Sequence, residues 1–178
     1  EAGLVEVAKL TQLESLRLHG NQLTEVTPLA KLRQLKYLHL GGHKKIDPNT
    51  LAKLTQLRTL SLDSSRLTDA SPLAELKDLE NLYLGYNQLT DAGPLAKLTL
   101  LKDLNLENNQ LTDAGPLAKL TLLKRLKLYG NQLTDVGALA GLKELKTLIL
   151  SGNNQLTDVS ALAGLTQLKK LYLSHNQL

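Results

Sequence analysis

A leucine pattern recurs along the whole chain at a nearly constant interval. The pattern Leu-x-x-Leu-x-Leu begins at Leu13, Leu35, Leu57, Leu79, Leu101, Leu123, Leu145 and Leu168. Successive starts lie 22 residues apart, except for a last step of 23 residues. A fixed period of this length is the sequence signature of a solenoid, in which each repeat is one coil that stacks on the next. The sequence therefore predicts a single domain over residues 1–178.

Each repeat contains a short alternating segment followed by a longer apolar one. In the first repeat Leu16 and Leu18 alternate with Arg17, which predicts a half-buried strand that points Arg17 outward. In the segment PLAKLTLL from Pro116, a proline at a first helical position and apolar residues three apart favour a short 3-10 or α-helix. One repeat alone cannot bury enough apolar surface to offset the entropy of ordering its backbone. The strands are therefore expected side by side in one parallel sheet, with the helical turns on the opposite side.

These segments resemble leucine-rich repeats. The resemblance is carried by LESLRLHGNQL, LENLYLGYNQL and LKRLKLYGNQL, and the 22-residue period with LTD and then PLAKLT between strands is similar to the bacterial internalin-like subclass. It implies an α/β solenoid, a leucine-rich repeat horseshoe or arc. An eight-strand parallel sheet would form the concave face, and short 3-10 or helical turns the convex face. The resemblance also implies an asparagine ladder, a macromolecular partner, and a bacterial secreted or cell-surface location.

The chain departs from the resembled pattern in two places. Internalins carry a helical cap before the first repeat, whereas this chain opens within a unit at EAGLVEVAKL. We expect about eight repeats, incomplete at both ends and without an N-terminal cap, so that exposed strand edges allow end-to-end self-association. The second repeat reads LGGHKKIDPNTLAKL, with His43 where asparagine stands elsewhere and Ile46 one place late. A distorted loop is expected there.

Two polar features recur once in most repeats. An inward asparagine follows the strand and can satisfy backbone groups that are freed where the chain turns away. His43 and Ser65 hold that position in the second and third repeats, so the ladder is expected to be weakest there. A Thr-Asp pair on the descending loops indicates turn and capping chemistry, with calcium binding or an ice-binding array as weaker alternatives. The asparagines are Asn21, Asn87, Asn109, Asn131 and Asn176, with Asn153 or Asn154 in the seventh repeat.

The strands differ from one another where the rest of the repeat is copied. The segment LTDAGPLAKLTLLK occurs at 89–102 and again at 111–124, followed first by DLNLENNQ and then by RLKLYGNQ. Stacking fixes the inward residues, so the outward strand positions are free to vary and form a candidate recognition surface. All five tyrosines lie there, and tyrosine is enriched at interface hot spots. The candidate partner-binding residues are Arg17, His19, Tyr37, His39, Asp63, Tyr83, Tyr86, Asp103, Asn105, Glu107, Arg125, Lys127, Tyr129 and Tyr172.

The predicted function is a non-catalytic module that binds a protein, or else a glycan, across the concave sheet. Asp63 and Asp103 lie near the middle of the surface, whereas Arg125, Lys127 and Lys170 lie towards its C-terminal end, and such sorting of charge would orient a partner. The alternative is a structural or engineered, consensus-like scaffold with no natural ligand. The verbatim copies and the restricted amino-acid alphabet suggest that alternative, although recent duplication in a bacterial genome would leave the same trace.

Several other classes of function are disfavoured. The absence of cysteine excludes a disulfide framework and a thiolate zinc site, and no cofactor or metal is predicted. The net charge is +4, but the lysines and arginines are interleaved with acidic residues along the whole chain. Because only 3% of the residues are aromatic, few side chains could stack on bases, and nucleic-acid binding is disfavoured. No apolar stretch reaches the roughly 18 residues of a membrane span. His39, Ser61 and Asp63 would bring together the residue types of a hydrolytic triad, but an open sheet supplies no oxyanion donors. The neighbouring pair of His19 and His39 lacks a third metal ligand.

Overall fold

The chain forms one parallel sheet that is flanked on one side by short helices. The computed structural model describes residues 2–21, 23–43 and 46–178. Within them, eight strands of three residues pair in the order of the sequence. The strands are β1 (Ser15–Arg17), β2 (Tyr37–His39), β3 (Thr59–Ser61), β4 (Asn81–Tyr83), β5 (Asp103–Asn105), β6 (Arg125–Lys127), β7 (Thr147–Ile149) and β8 (Lys170–Tyr172).

The strand register turns positions in the repeat into straight rows across the sheet. Leu16 pairs with Leu38 between β1 and β2, and Leu148 pairs with Leu171 between β7 and β8, despite the extra residue in the last step. All seven strand pairs are parallel. A residue therefore has as its neighbours the residues at the same position of the preceding and following repeats.

Short helices line the opposite, convex side. In the Gly93–Lys97 turn, Leu95 N donates to Ala92 O at 3.0 Å and Leu98 N donates to Leu95 O at 2.9 Å, which is the i to i+3 pattern of a 3-10 helix. Because strands pack closer together than helices do, the coils fan outward and the sheet lies on the concave side of an arc. The predicted α/β solenoid is confirmed. The described helices are α1 (Ala2–Val7), α2 (Pro48–Leu51) and the 3-10 helices Thr27–Lys31, Ser71–Glu75, Gly93–Lys97, Gly115–Lys119, Gly137–Gly141 and Ser160–Gly164.

A single leucine core runs through the stack. Leu60, Leu82 and Leu104 occupy the central inward position of three successive strands, and each has no exposed surface. The leucines of the first and last coils are less buried, and Leu171 is 41% exposed. Since inward leucines contact their own equivalents in the next coil, the core is continuous along the solenoid rather than divided among the repeats.

An asparagine ladder stabilises the turn after each central strand. Asn87 Oδ1 accepts hydrogen bonds from Ser65 N at 3.0 Å and Leu67 N at 2.9 Å. Its Nδ2 donates to Leu62 O at 3.0 Å and Leu84 O at 2.9 Å. The amide thus joins two adjacent coils through backbone groups that the turns would otherwise leave unpaired.

The seventh and second repeats show how the ladder adapts to sequence changes. Asn153, and not Asn154, occupies the seventh step, where it is buried and donates to Leu128 O at 3.0 Å. His43 is also buried, and its Nδ1 accepts from Leu23 N at 3.1 Å while Nε2 lies 2.9 Å from Leu18 O. The prediction of a weak step at His43 is wrong, because the imidazole accepts at one nitrogen and donates at the other as the amide does.

The third step and the second convex turn do depart from the regular pattern. Among the described residues the Ser65 side chain makes one hydrogen bond, a long 3.4 Å contact to Asp63 O, so the prediction of a weak step is confirmed there. The convex turn of the second repeat is the α-helix α2 rather than a 3-10 helix, and Asp47 caps it by accepting from Asn49 N at 2.9 Å. The two lysines that precede Ile46 lie outside the described residues.

The acidic residues of the descending loops hold the start of the convex turns. Asp91 Oδ1 accepts from Gly93 N at 2.6 Å, and Asp158 Oδ1 accepts from Ser160 N at 2.7 Å. The same backbone bond, followed by the Ser160 hydroxyl, lowers the pKa of Asp158. The interpretation of these carboxylates as turn groups is confirmed, because each accepts from the backbone N–H two residues on. The N-cap residues of these 3-10 helices themselves make no side-chain cap hydrogen bond.

Candidate binding face

The outward residues of the eight strands, together with those that directly follow each strand, form what we call the concave face. The candidate partner-binding residues all lie on it, but they differ in exposure. Arg17, His19, Tyr86, Arg125, Tyr129 and Tyr172 are exposed. The half-buried residues are Tyr37, His39, Asp63, Tyr83, Glu107 and Lys127, and the buried residues are Asp103 and Asn105.

The burial of Asp103 and Asn105 corrects the expectation that every outward position is open to solvent. Asp103 is 5% exposed and Asn105 is 7% exposed. Asp103 is covered because Tyr83 Oη donates to its Oδ2 at 3.1 Å from the preceding strand, and Arg125 Nε donates to the same oxygen at 2.9 Å from the following strand. Asn105 Oδ1 accepts from Glu107 N at 2.9 Å. These two side chains organise the face rather than protrude from it.

The three-residue cluster around Asp103 also alters proton affinities. Burial and, next, the Asp103 charge raise the pKa of Tyr83 to about 12. Hydrogen bonding to Asp103 raises the pKa of Arg125 above its ordinary value. Within the described residues the second oxygen, Asp103 Oδ1, is buried without a hydrogen-bond partner. Tyr83 therefore stays neutral and Arg125 stays charged over the physiological pH range.

Planar side chains stack at the N-terminal end of the face. The guanidinium carbon of Arg17 lies 5.1 Å from the centre of the Tyr37 ring, a cation–π distance. The rings of His19 and His39 stack with their centres 4.9 Å apart. Burial and the neighbouring His19 lower the pKa of His39, although Asp63 opposes them. The pairing of residues on adjacent strands thus produces a continuous surface of flat groups.

Asp63 accepts hydrogen bonds at the middle of the face. Gly85 N donates to Asp63 Oδ1 at 2.7 Å, and the Ser61 hydroxyl donates to Asp63 Oδ2 at 3.3 Å. A Cβ at Gly85 would lie 3.1 Å from Asp63 Oδ1 and 3.1 Å from Asn105 Nδ2, so the absence of a side chain lets the two neighbours approach. The Ser61 hydroxyl, which is buried, is directed at a carboxylate and not at a substrate position.

Tyr86 is a bulky residue in a backbone conformation that favours glycine, and sequence reasoning missed this. It follows β4 at a turn position with a φ of 56°, in the left-handed region. Glycine fills the equivalent position at Gly20, Gly42, Gly130 and Gly152, and smaller polar residues or histidine fill it in the other three repeats, all with positive φ. A bulky residue pays a steric cost there, and Tyr86 is nevertheless 58% exposed. The recurrence of glycine at this position was the sequence signal, because it marks a conformation that tyrosine adopts unfavourably.

The described residues contain neither a cluster of metal-binding side chains nor a membrane-spanning helix. Within the described ranges, histidine, cysteine and carboxylate side chains do not assemble in groups of three or more that could hold a metal ion. In the same ranges, no helix has the length and apolar character needed to cross a membrane.

Comparison with known proteins identifies the repeat family. The family model for leucine-rich repeats, built on two copies, matches residues 11–53, 55–97, 77–119, 99–144, 121–164 and 143–178. The matched ranges cover nearly the whole chain. No curated protein matches the chain in sequence.

Solved structures of several leucine-rich repeat proteins share the fold. The chain is 35% identical to an internalin, InlF, of Listeria monocytogenes, with a TM-score of 0.78 over 97% of this chain and 58% of that one. It is 30% identical to internalin C2 of the same organism, with a TM-score of 0.78 over 97% of this chain and 92% of that one.

A plant receptor ectodomain is also similar. The leucine-rich repeat ectodomain of the receptor kinase GASSHO1/SCHENGEN3 of Arabidopsis thaliana was solved in complex with Casparian strip integrity factor 2. It is 29% identical, with a TM-score of 0.76 over 97% of this chain and 25% of that one. Leucine-rich repeat proteins are in general non-catalytic interaction modules, and the family match covers almost every repeat here. The chain therefore belongs to the leucine-rich repeat family, and its repeats are internalin-like.

Proposed function

We propose that the chain is a non-catalytic module that binds a protein partner across its concave face. The single observation that carries the proposal is Tyr86, a large side chain that is held in solvent at a strained turn position. Stacking of the coils does not require tyrosine there, since four other repeats use glycine. Strained residues that the fold does not need cluster at binding sites, where the cost is offset by contacts with a ligand.

Two further tyrosines extend this surface towards the C-terminal end. Tyr129 and Tyr172 are 41% and 48% exposed, and they lie two and four repeats beyond Tyr86. Exposed tyrosines provide large, stiff contact areas that lose little conformational entropy on binding. The similar plant ectodomain was solved with a bound factor, which supports a polypeptide rather than a glycan as the ligand class.

The experiment is a binding screen of the whole chain against a panel of cell-surface and secreted proteins, followed by affinity measurement with variants. The triple variant Tyr86→Ala, Tyr129→Ala, Tyr172→Ala is expected to lose at least a hundredfold in affinity, because hot-spot truncations cost about 2 kcal/mol or more each. The matched control changes Lys31, Lys97 and Lys119, which lie on the convex helices, to Ala. Equal loss in both variants, or in neither, would contradict the proposed face.

The scaffold alternative makes the opposite prediction. A chain without a natural ligand would give no saturable partner in the screen, and its tyrosines would be replaceable without effect. Self-association through the end coils, where Leu10 and Leu171 are exposed, is a separate proposal. Light scattering over a range of concentrations tests it, since monomers at every concentration would contradict it.

A further inference from the structure

A row of lysines borders the concave face at the start of the strands. Lys102, Lys124, Lys146 and Lys169 each lie immediately before a strand and are all exposed. Lys124 N donates to Lys102 O at 2.8 Å, Lys146 N donates to Lys124 O at 2.9 Å, and Lys169 N donates to Lys146 O at 2.9 Å. These backbone bonds set four lysines side by side, with their backbones about 4.8 Å apart along the solenoid. We call them the lysine row.

Within the described ranges of the chain, most lysines of this row lack the acidic partners that the equivalent basic residues have in the N-terminal half. There, Lys36 Nζ contacts Glu14 Oε1 at 2.7 Å, and Glu80 contacts both Arg58 and Lys102. In the part of the chain that the structure describes, Lys124, Lys146 and Lys169 make no ion pair. Adjacent like charges repel, so the fold does not gain stability from this arrangement.

Two exposed leucines lie beside the lysine row. Leu100 and Leu122 precede Lys102 and Lys124 by two residues and are 45% and 41% exposed. The other repeats have glutamine or an acidic residue at this position, as Gln56 and Glu144 illustrate. The same edge of the solenoid therefore combines unpaired positive charge with apolar surface.

We propose that this edge binds an extended acidic segment of the partner protein that also carries apolar side chains. The inference rests on the proposed function, because it assigns one part of the partner to one part of the face. Lys124, Lys146 and Lys169 would pair with carboxylates, while Leu100 and Leu122 would cover apolar side chains. From the repeat of Leu100 to that of Lys169 the edge spans three steps, or about 14 Å, which an extended segment covers with about four or five residues.

The apolar pair favours a peptide over a linear polyanion. A polysaccharide with acidic groups gains affinity from the cations but little from exposed leucine side chains. The acidic residue Glu80 at the N-terminal end of the row limits the site to the C-terminal half, since it neutralises Lys102. The segment must therefore end or turn near the fifth repeat.

The probe for the test is a labelled octapeptide of sequence EELEELEE, titrated against the whole chain and followed by fluorescence anisotropy. We expect saturable binding that weakens with salt, because exposed ion pairs are screened. The variant Lys124→Gln, Lys146→Gln, Lys169→Gln should weaken binding about tenfold. The variant Leu100→Gln, Leu122→Gln adopts a residue that other repeats use and should weaken binding about fivefold.

The matched control Lys31→Gln, Lys97→Gln, Lys119→Gln removes the same charge from the convex helices and should leave octapeptide affinity unchanged. Equal weakening by this control would overturn the proposal, as would no binding of the octapeptide at millimolar concentration. A heparin oligosaccharide that binds more tightly than the octapeptide, and that does not respond to the leucine variant, would assign the row to a polyanion instead. If the octapeptide fails while a partner is still captured through the tyrosines, only the lysine-row assignment is wrong.

Discussion

The inward and outward sides of the same strand follow opposite rules in this solenoid. In β5 and β6 the inward residues are both leucine and have no exposed surface. The outward residues of the same two strands are Asp and Asn in one, and Arg and Lys in the other. An inward side chain contacts its own equivalents in the neighbouring coils, so any change must fit two copies at once. An outward side chain need not match its own equivalents, so its identity can vary, although unlike neighbours still contact it, as Tyr83 and Arg125 contact Asp103.

The largest expected effect comes from removing an inward leucine. Leu104→Ala should reduce the free energy of unfolding by about 2–5 kcal/mol, because it leaves a cavity between Leu82 and Leu126. Urea denaturation followed by circular dichroism measures the change. Leu122→Ala is the matched control on the outer surface, with an expected change below about 0.5 kcal/mol. Similar losses in the two variants would show that the contrast between the two sides is wrong.

The asparagine ladder should be the next most sensitive inward feature. Asn109→Ala leaves Leu89 N, Leu84 O and Leu106 O without the bonds that the amide supplies. The expected loss in the free energy of unfolding is about 2–3 kcal/mol, since buried unpaired groups bear their full desolvation cost. Asn154→Ala, at an exposed position, is the control and should be nearly neutral.

His43, which replaces asparagine in the ladder of the second repeat, tests whether hydrogen bonding explains the stability of the ladder. His43→Asn should change the free energy of unfolding by less than about 1 kcal/mol, whereas His43→Ala should cost about 1–3 kcal/mol. The imidazole and the amide meet the same two kinds of backbone group, at Leu23 N and Leu18 O. Equal destabilisation by both changes would mean that ring packing, and not hydrogen bonding, explains the histidine.

The repeat period made the coil predictable, whereas contacts between unlike side chains did not follow from it. Strand positions, the parallel order and the inward leucines all follow from a period of 22 residues and alternation within each strand. The cover over Asp103 depends on Tyr83 and Arg125, which lie one repeat before and one repeat after it. Residue-type rules say which positions face outward, but not which neighbours bury them. The binding role of the face is likewise a proposal, because the repeat pattern identifies the outward positions but not the molecule that binds them.

The Asp103 cluster makes the outward side sensitive to high pH. The pKa of Tyr83 rises from its ordinary value of 10 to about 12. The unfolded chain therefore loses this proton at a lower pH than the folded chain does. The contribution of Tyr83 to the free energy of unfolding is fully present below pH 10 and is lost as the pH rises towards 12. Because the side chain is partly exposed, we expect a loss of about 1 kcal/mol rather than the full linkage value.

The measurement compares wild type with Tyr83→Phe in urea denaturation across that pH range. The phenylalanine variant should lack the part of the alkaline loss of stability that Tyr83 causes. An absorbance titration of the folded variant should lack the tyrosine ionisation with a pKa of about 12. An identical alkaline decrease in the two proteins would contradict the raised pKa of Tyr83, which burial and, next, the Asp103 charge produce.

The smallest effect on stability is expected at Tyr86, where it should be favourable. Tyr86→Gly relieves the left-handed strain, although glycine loses more backbone entropy on folding, and the net gain should be about 0.5 kcal/mol. The same change should weaken partner binding, because it removes an exposed aromatic side chain. Tyr129→Gly is the control: its equivalents at Gly41 and Gly85 do not have positive φ, so no strain is relieved and stability should fall. Two outcomes would remove the reason to regard the strained tyrosine as a binding residue. One is a loss of stability in Tyr86→Gly, and the other is an affinity for the partner equal to that of wild type.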